Sequence, residues 1–143
     1  MKTIYTLFIA FTFALNVNAQ TETKTTSNGQ NITVTIKNIK NNKGSVLLGL
    51  HTEDTFMKGA GVKNLTSKIE NGQVTVTFTN VEAGTYAIMV MHDENDNKRM
   101  DFENGMPIES YGMSNNPMSY GPPQYSDAKF EVKNKDLEFN IIF

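Results

Sequence analysis

The sequence has no cysteine, and only two of its 143 residues are histidine. Without cysteine there is no disulfide, no thiol nucleophile, no thiolate metal set and no lipid attached to an N-terminal cysteine. Two histidines without a third partner do not make a zinc set. No G-x-S-x-G elbow is present either. Strong charge of one sign is also missing: 13 basic residues stand against 15 acidic. No basic stripe points to nucleic acid, and no basic amphipathic helix points to a membrane surface. Stability has to come from packing and, if a site exists, from a metal.

One apolar run stands out, Ile4–Leu15, preceded by Lys2 and followed by Val17-Asn18-Ala19. A short cationic start, an apolar middle and small residues at the end describe an export signal cut after Ala19. The run is too short to span a bilayer comfortably, and no other segment approaches spanning length. Residues 1–19 are therefore expected to be a signal peptide. Residues 20–30, rich in Thr, Lys, Ser, Asn and Gly, read as a flexible leader, and residues 31–143 as one domain. Losing Lys2 leaves 12 basic residues against 15 acidic, a mild net charge of −3. The expected location is secreted or periplasmic.

From residue 32 the apolar pattern has a period of two, as in a strand with one buried face. Ile32, Val34 and Ile36 alternate with Thr33, Thr35 and Lys37. Val46, Leu48 and Leu50 mark a second strand, Leu65–Ile69 a weaker third, and Val74, Val76 and Phe78 a fourth. Asn71-Gly72 between the last two is a hairpin signal. Thr85–Met91 follows, with Tyr86, Ile88 and Val90 on one face. Gln124–Val132 and Leu137–Phe143 complete about seven strands, and no segment reads as a helix. Short strands at regular intervals predict an all-β, antiparallel sandwich.

Residues 92–123 interrupt the rhythm. A loop of this length in a compact domain is usually functional or tied down. Within it Asp93, Asn95, Asn97 and Asp101 occupy relative positions 1, 3, 5 and 9, with the Arg99 carbonyl at position 7 and the apolar Met100 at position 8. This is the oxygen-donor spacing of a calcium loop: a hard cation takes six to eight oxygens, and a curled backbone with alternate side chains turned inward supplies them. Two positions depart from the pattern. Lys98 stands at position 6, where the sharp turn favours glycine, and Asn104 stands at position 12 in place of a bidentate Glu. Glu103 or Glu109 can supply that carboxylate if the chain folds back. The expected ligands are Asp93, Asn95, Asn97, Arg99 and Asp101, and the expected affinity is weak, on the order of 10⁻⁴ to 10⁻³ M.

Two other chemistries share this region. His92, with Asp93 or Glu109, has the residue types of a hydrolase-type general base pair. Met89, Met91, Met100, Met106, Met113 and Met118 surround His92 in sequence, and soft thioethers with imidazole suit copper(I) in a periplasmic carrier. Copper requires at least two sulfurs converging on His92; packing scatters them. Tyr111, Tyr120 and Tyr125 offer aromatic surface to a glycan or protein partner. Asn31-Ile32-Thr33 and Asn64-Leu65-Thr66 are glycosylation sequons only in a source that glycosylates.

Gly84-Thr85-Tyr86-Ala87, His92-Asp93-Glu94-Asn95 and Asp101 are followed by Pro107, Glu109, Tyr111-Gly112 and Ser114-Asn115. Gly121-Pro122-Pro123 and Asp127-Ala128-Lys129-Phe130 come after them. Together these residues resemble the signature of domain of unknown function 2141, a family of small exported bacterial proteins. The resemblance covers residues 31–143. It implies an immunoglobulin- or transthyretin-like sandwich, export and no established activity. Lys98 and Met113 depart from the Gly or Asn and the Phe usual near those positions. The combined expectation is an exported, non-catalytic sandwich module at the cell envelope with a weak calcium loop.

Overall fold

A computed structural model describes residues 29–143. The signal segment and nearly all of the leader fall outside the described residues. Ten strands and one short helix follow in order: β1 Gln30–Ile36, β2 Ser45–His51, β3 Lys63–Ser67, β4 Val74–Val81, β5 Gly84–Asp93, β6 Phe102–Glu103, β7 Met106–Pro107, β8 Tyr111–Met113, α1 Tyr125–Ala128, β9 Phe130–Val132 and β10 Leu137–Ile141. The chain is nearly all β, as its period of two requires. Among the described residues no helix is long and apolar enough to cross a membrane.

β1 is the middle strand of a three-stranded sheet, with β4 antiparallel on one side and β10 parallel on the other. The second sheet runs β3-β2-β5 in antiparallel order. The far edge of β5 is shared: β9 pairs with Gly84–Tyr86, and β8 pairs with Met89–Met91. Alternation sends Ile32, Val34, Ile36, Val74 and Phe78 from one sheet, and Val46, Leu48, Leu50, Ile88 and Val90 from the other, into one apolar core. Two sheets face to face on a shared core are the sandwich architecture. Burying each such side chain contributes roughly 1.5–3 kcal/mol.

The hairpin expected at Asn71-Gly72 is present. Asn71 and Gly72 both take positive φ, 53° and 70°, and Glu70 and Gln73 exchange two backbone hydrogen bonds of 3.0 Å around them. Both central residues at positive φ make the primed turn that suits strand twist. Gly44, ahead of β2, has φ +62°, and a Cβ there would lie 1.8 Å from the Asp93 carbonyl oxygen. Only glycine fits that close passage of two chains.

Other details differ. Gln124–Val132 is not one strand: residues 125–128 form α1, and β9 begins at Phe130. Ala128, Phe130 and Val132 keep an alternating order because Ala128, the buried residue of a single helical turn, falls in step with β9 by coincidence of spacing. The sheets are not wholly antiparallel, since β1 and β10 run in parallel. The 92–123 segment is not irregular throughout; it contains β6, β7 and β8.

Candidate metal loop

β5 ends at Asp93, whose backbone pairs with Ser45 at the start of β2. Its carboxylate is completely buried. Oδ1 accepts the Asn97 amide at 3.1 Å, and Oδ2 accepts the Lys98 amide at 2.8 Å. Asn95 Oδ1 accepts the Asn97 amide at 3.1 Å, and Asn97 Oδ1 accepts the Arg99 amide at 2.8 Å. Each of these side chains thus holds the backbone two or more residues ahead, the Asx-type bond that curls a turn. Asp96 and Lys98 reach φ of 58° and 61°. The curl therefore puts a lysine in the left-handed region at the position where such loops use glycine.

The far end of the loop closes on Asp101. Asn95 Nδ2 donates to Asp101 Oδ2 at 2.7 Å, and Asn97 Nδ2 donates to both Asp101 oxygens at 3.0 Å. Glu109, 7 % exposed, returns from beyond the loop. Its Oε1 accepts the Glu94 amide at 3.0 Å and its Oε2 the Asp101 amide at 3.2 Å. Asp93, Asn95, Asn97 and Asp101 are thus linked by hydrogen bonds, with Asp93 buried and Asn95 at the exposed side. Arg99 is placed by its amide, and its side chain is exposed.

Between Asp101 and Glu109 the chain makes a small hairpin, β6 with β7, turning on Asn104 (φ 50°) and Gly105 (φ 79°). Asn104 is thus a turn residue and does not occupy the twelfth place of a calcium loop. Glu103 is exposed on the hairpin. Of the two carboxylates named as substitutes, Glu109 is the one against the loop. Among the described residues, Asp93, Asp101 and Glu109 have no Lys or Arg ion-pair partner. Nor do three or more His, Cys, Asp or Glu side chains gather closely enough to hold a metal by themselves. Any cation here takes amide and backbone-carbonyl oxygens as well as carboxylates.

A clasp outside the curl has no signature in sequence. Asp96 accepts from Ser45 Oγ and pairs with Lys68 Nζ at 3.0 Å, and Lys68 also donates to the Gly44 carbonyl at 2.9 Å. The Ser45 hydroxyl first, and Lys68 second, hold the Asp96 carboxyl below its ordinary range. The members lie up to 51 positions apart.

His92 is 1 % exposed. Nε2 lies 2.9 Å from the Lys43 carbonyl, so that nitrogen carries the proton, and the ring stacks on Phe143 with centroids 6.2 Å apart. The arrangement is that of a structural hydrogen-bond donor. β5 turns Met89 and Met91 to the face opposite His92. Met89 and Met113 instead join Phe56, Ala87, Ala128, Tyr111 and Tyr125 in a second apolar cluster on the outside of the larger sheet. Met106 and Met118 are exposed. The sulfurs scatter. Tyr111 and Tyr125 are likewise half-buried in that second cluster, Tyr125 donating to the Thr85 carbonyl at 3.0 Å, while Tyr120 is fully exposed.

Ser114, completely buried, is a joint the sequence did not advertise. Its hydroxyl accepts the Ile88 amide at 3.0 Å and donates to the Ala128 carbonyl, tying β5 to α1.

No curated protein and no solved structure matches the chain. A family profile does, over residues 34–140, a span that takes in both sheets and the whole loop. The chain belongs to the family described as "Uncharacterized protein conserved in bacteria (DUF2141)".

Proposed function

We propose that this is an exported, non-catalytic sandwich module whose Asp93–Asp101 loop takes calcium weakly and thereby stiffens the 92–123 segment. One observation carries the reading. Asp93 and Glu109 are buried carboxylates with no cationic side chain paired to them among the described residues. Buried charges are ordinarily paired or coordinate a metal. The donors at hand are hard oxygens: carboxylates of Asp93 and Asp101, amide oxygens of Asn95 and Asn97, and the Arg99 carbonyl. That set suits calcium and is poor for soft metals. Rotating the Asn95 and Asn97 amides would bring Oδ1 toward Asp101 at the cost of their bonds to the Asn97 and Arg99 amides, a further reason for weak binding.

The strained Lys98 and the absence of a bidentate carboxylate at position 12 point to an affinity on the order of 10⁻⁴ to 10⁻³ M. A glycan or protein partner would meet the loop's exposed side, where Tyr120 projects. Calcium titration followed by thermal melting tests the metal. At twenty times Kd, linkage adds about 1.8 kcal/mol, which raises the melting temperature of a domain this size by roughly 5 to 9 °C. Asp101→Asn should flatten the response. An unchanged melting curve at about 10 mM calcium, well above that Kd, ends the proposal.

A further inference from the structure

Among the described residues β4 is paired on one side only, and it differs from the other edge strands in how that side is guarded. β10 is tied down along its outer side by Asn116, which donates to the Asn140 carbonyl at 2.8 Å and accepts the Ile142 amide at 2.9 Å. β8 has Gly112 against the Ile142 carbonyl. β9 is three residues long and carries Glu131, and β3 is five residues long and begins with Lys63. Short length, charge and covering side chains are the usual guards of a sheet edge. β4 itself is neither short nor charged. It is eight residues, Val-Thr-Val-Thr-Phe-Thr-Asn-Val, without charge, proline or glycine. Among the described residues only β1 pairs with it. Between it and β3 of the facing sheet lie two hollows, about 530 Å³ lined by Lys68, Val74 and Thr75 among others and about 330 Å³ lined by Lys63, Leu65 and Thr77–Thr79.

We infer that β4 is a self-association edge, which pairs antiparallel with β4 of a second copy. The sequence of the strand fits its own reverse. With Thr77 on the two-fold axis, Thr75 faces Thr79 of the other copy on the outer surface, and Val76 faces Phe78 on the inner. The central five residues, Thr75–Thr79, then meet their own kind, hydroxyl to hydroxyl and apolar to apolar, while Val74 faces Asn80 at the ends. The outer surface already uses such pairs: Thr33 and Thr77 hydroxyls lie 3.0 Å apart, and those of Thr35 and Thr75 3.3 Å. A β4 pair continues this ladder across the axis and joins two three-stranded sheets into one of six. An uncharged strand pays no like-charge penalty on meeting itself, as a charged edge would. A second copy is also the one partner certain to present this strand. A single edge pairing buries little area, so the dimer is weak, with Kd on the order of 100 µM.

The absence of native cysteine makes the test direct. Sedimentation equilibrium of the exported form, from roughly 5 to 500 µM, should show reversible doubling of mass. Thr77→Lys places two cations opposite each other and should raise Kd at least about tenfold. Ser126→Lys, exposed on α1 beside β5, should leave it nearly unchanged. Under mild oxidation Thr77→Cys should yield a disulfide-linked dimer, and Thr75→Cys far less, because residue 75 faces 79. Circular dichroism confirms that each variant is folded. A chain that stays monomeric throughout this range overturns the inference. So does a dimer indifferent to Thr77→Lys, or equal cross-linking from residues 75 and 77.

Discussion

Glu109 Oε2 accepts the backbone N–H of Asp101 at 3.2 Å, so a residue beyond the β6–β7 hairpin closes the loop that precedes it. The other oxygen of the same carboxylate holds the Glu94 amide. One buried side chain therefore fixes the entrance and the exit of the curl together. Replacing it with Gln leaves one acceptor oxygen where two were needed and turns a donor toward an amide. Glu109→Gln should cost about 1–3 kcal/mol of stability, read from urea unfolding, and should reduce the calcium response. Unaltered stability would falsify the bracing role.

Lys98 has φ of 61°, a backbone region that costs a side-chain-bearing residue roughly 1–2 kcal/mol. Lys98→Gly removes that cost but frees the unfolded chain somewhat. The expected net is a gain of about 0.5–1 kcal/mol and tighter calcium binding, since a cation next to the loop is lost as well. Calorimetric melts with and without calcium read both effects. A lower melting temperature in both would place the strain elsewhere.

Ser114 satisfies two buried backbone groups with one hydroxyl. In Ser114→Ala the Ile88 amide and the Ala128 carbonyl both lose their side-chain partner. A loss of about 2–4 kcal/mol is expected, together with faster hydrogen exchange in α1. Exchange at α1 unchanged from the parent would contradict this.

His51 is pushed below its ordinary value of 6.5, mainly by burial, with the Thr55 carbonyl bond opposing in part. Nδ1 lies 3.1 Å from that carbonyl, and the ring meets Phe56 edge-on. The folded form favours neutral imidazole, so on acidification the unfolded chain takes up the proton first. Stability is therefore unaffected above about pH 6.5 and declines between there and the lower folded value. His51→Gln should flatten melting temperature against pH in that window. Asp96 acts separately: its lowered carboxyl contributes above its unfolded value of 3.8 and is lost only at more acid pH. A pH slope near 6 that survives His51→Gln would assign it to another group.

Strands with one buried face were readable because alternation reports that face. Val74, Val76 and Phe78, or Ile32, Val34 and Ile36, state their own orientation. Partners were not readable. Nothing local to Val34 says that it lies beside Phe139 in parallel and Val76 in antiparallel. α1 was missed because a single turn has no room for a 3.6-residue period. In the candidate site, the spacing of Asp93, Asn95, Asn97 and Asp101 showed the curl, since its bonds span two to six residues. The Ser45–Asp96–Lys68 clasp was invisible for the opposite reason, being assembled by the fold from three distant segments.

The parallel pairing of β1 with β10 has a consequence for how the molecule is made. The first strand of the domain waits for the last, and the Asn31 amide finds Asp136 across 105 positions. A ribosome that has released everything through β9 still holds a sheet with one side missing. Long-range closure of this kind is slow. The smaller sheet therefore stays one strand short until β10 has emerged, and the Asn31–Asp136 bond locks only then.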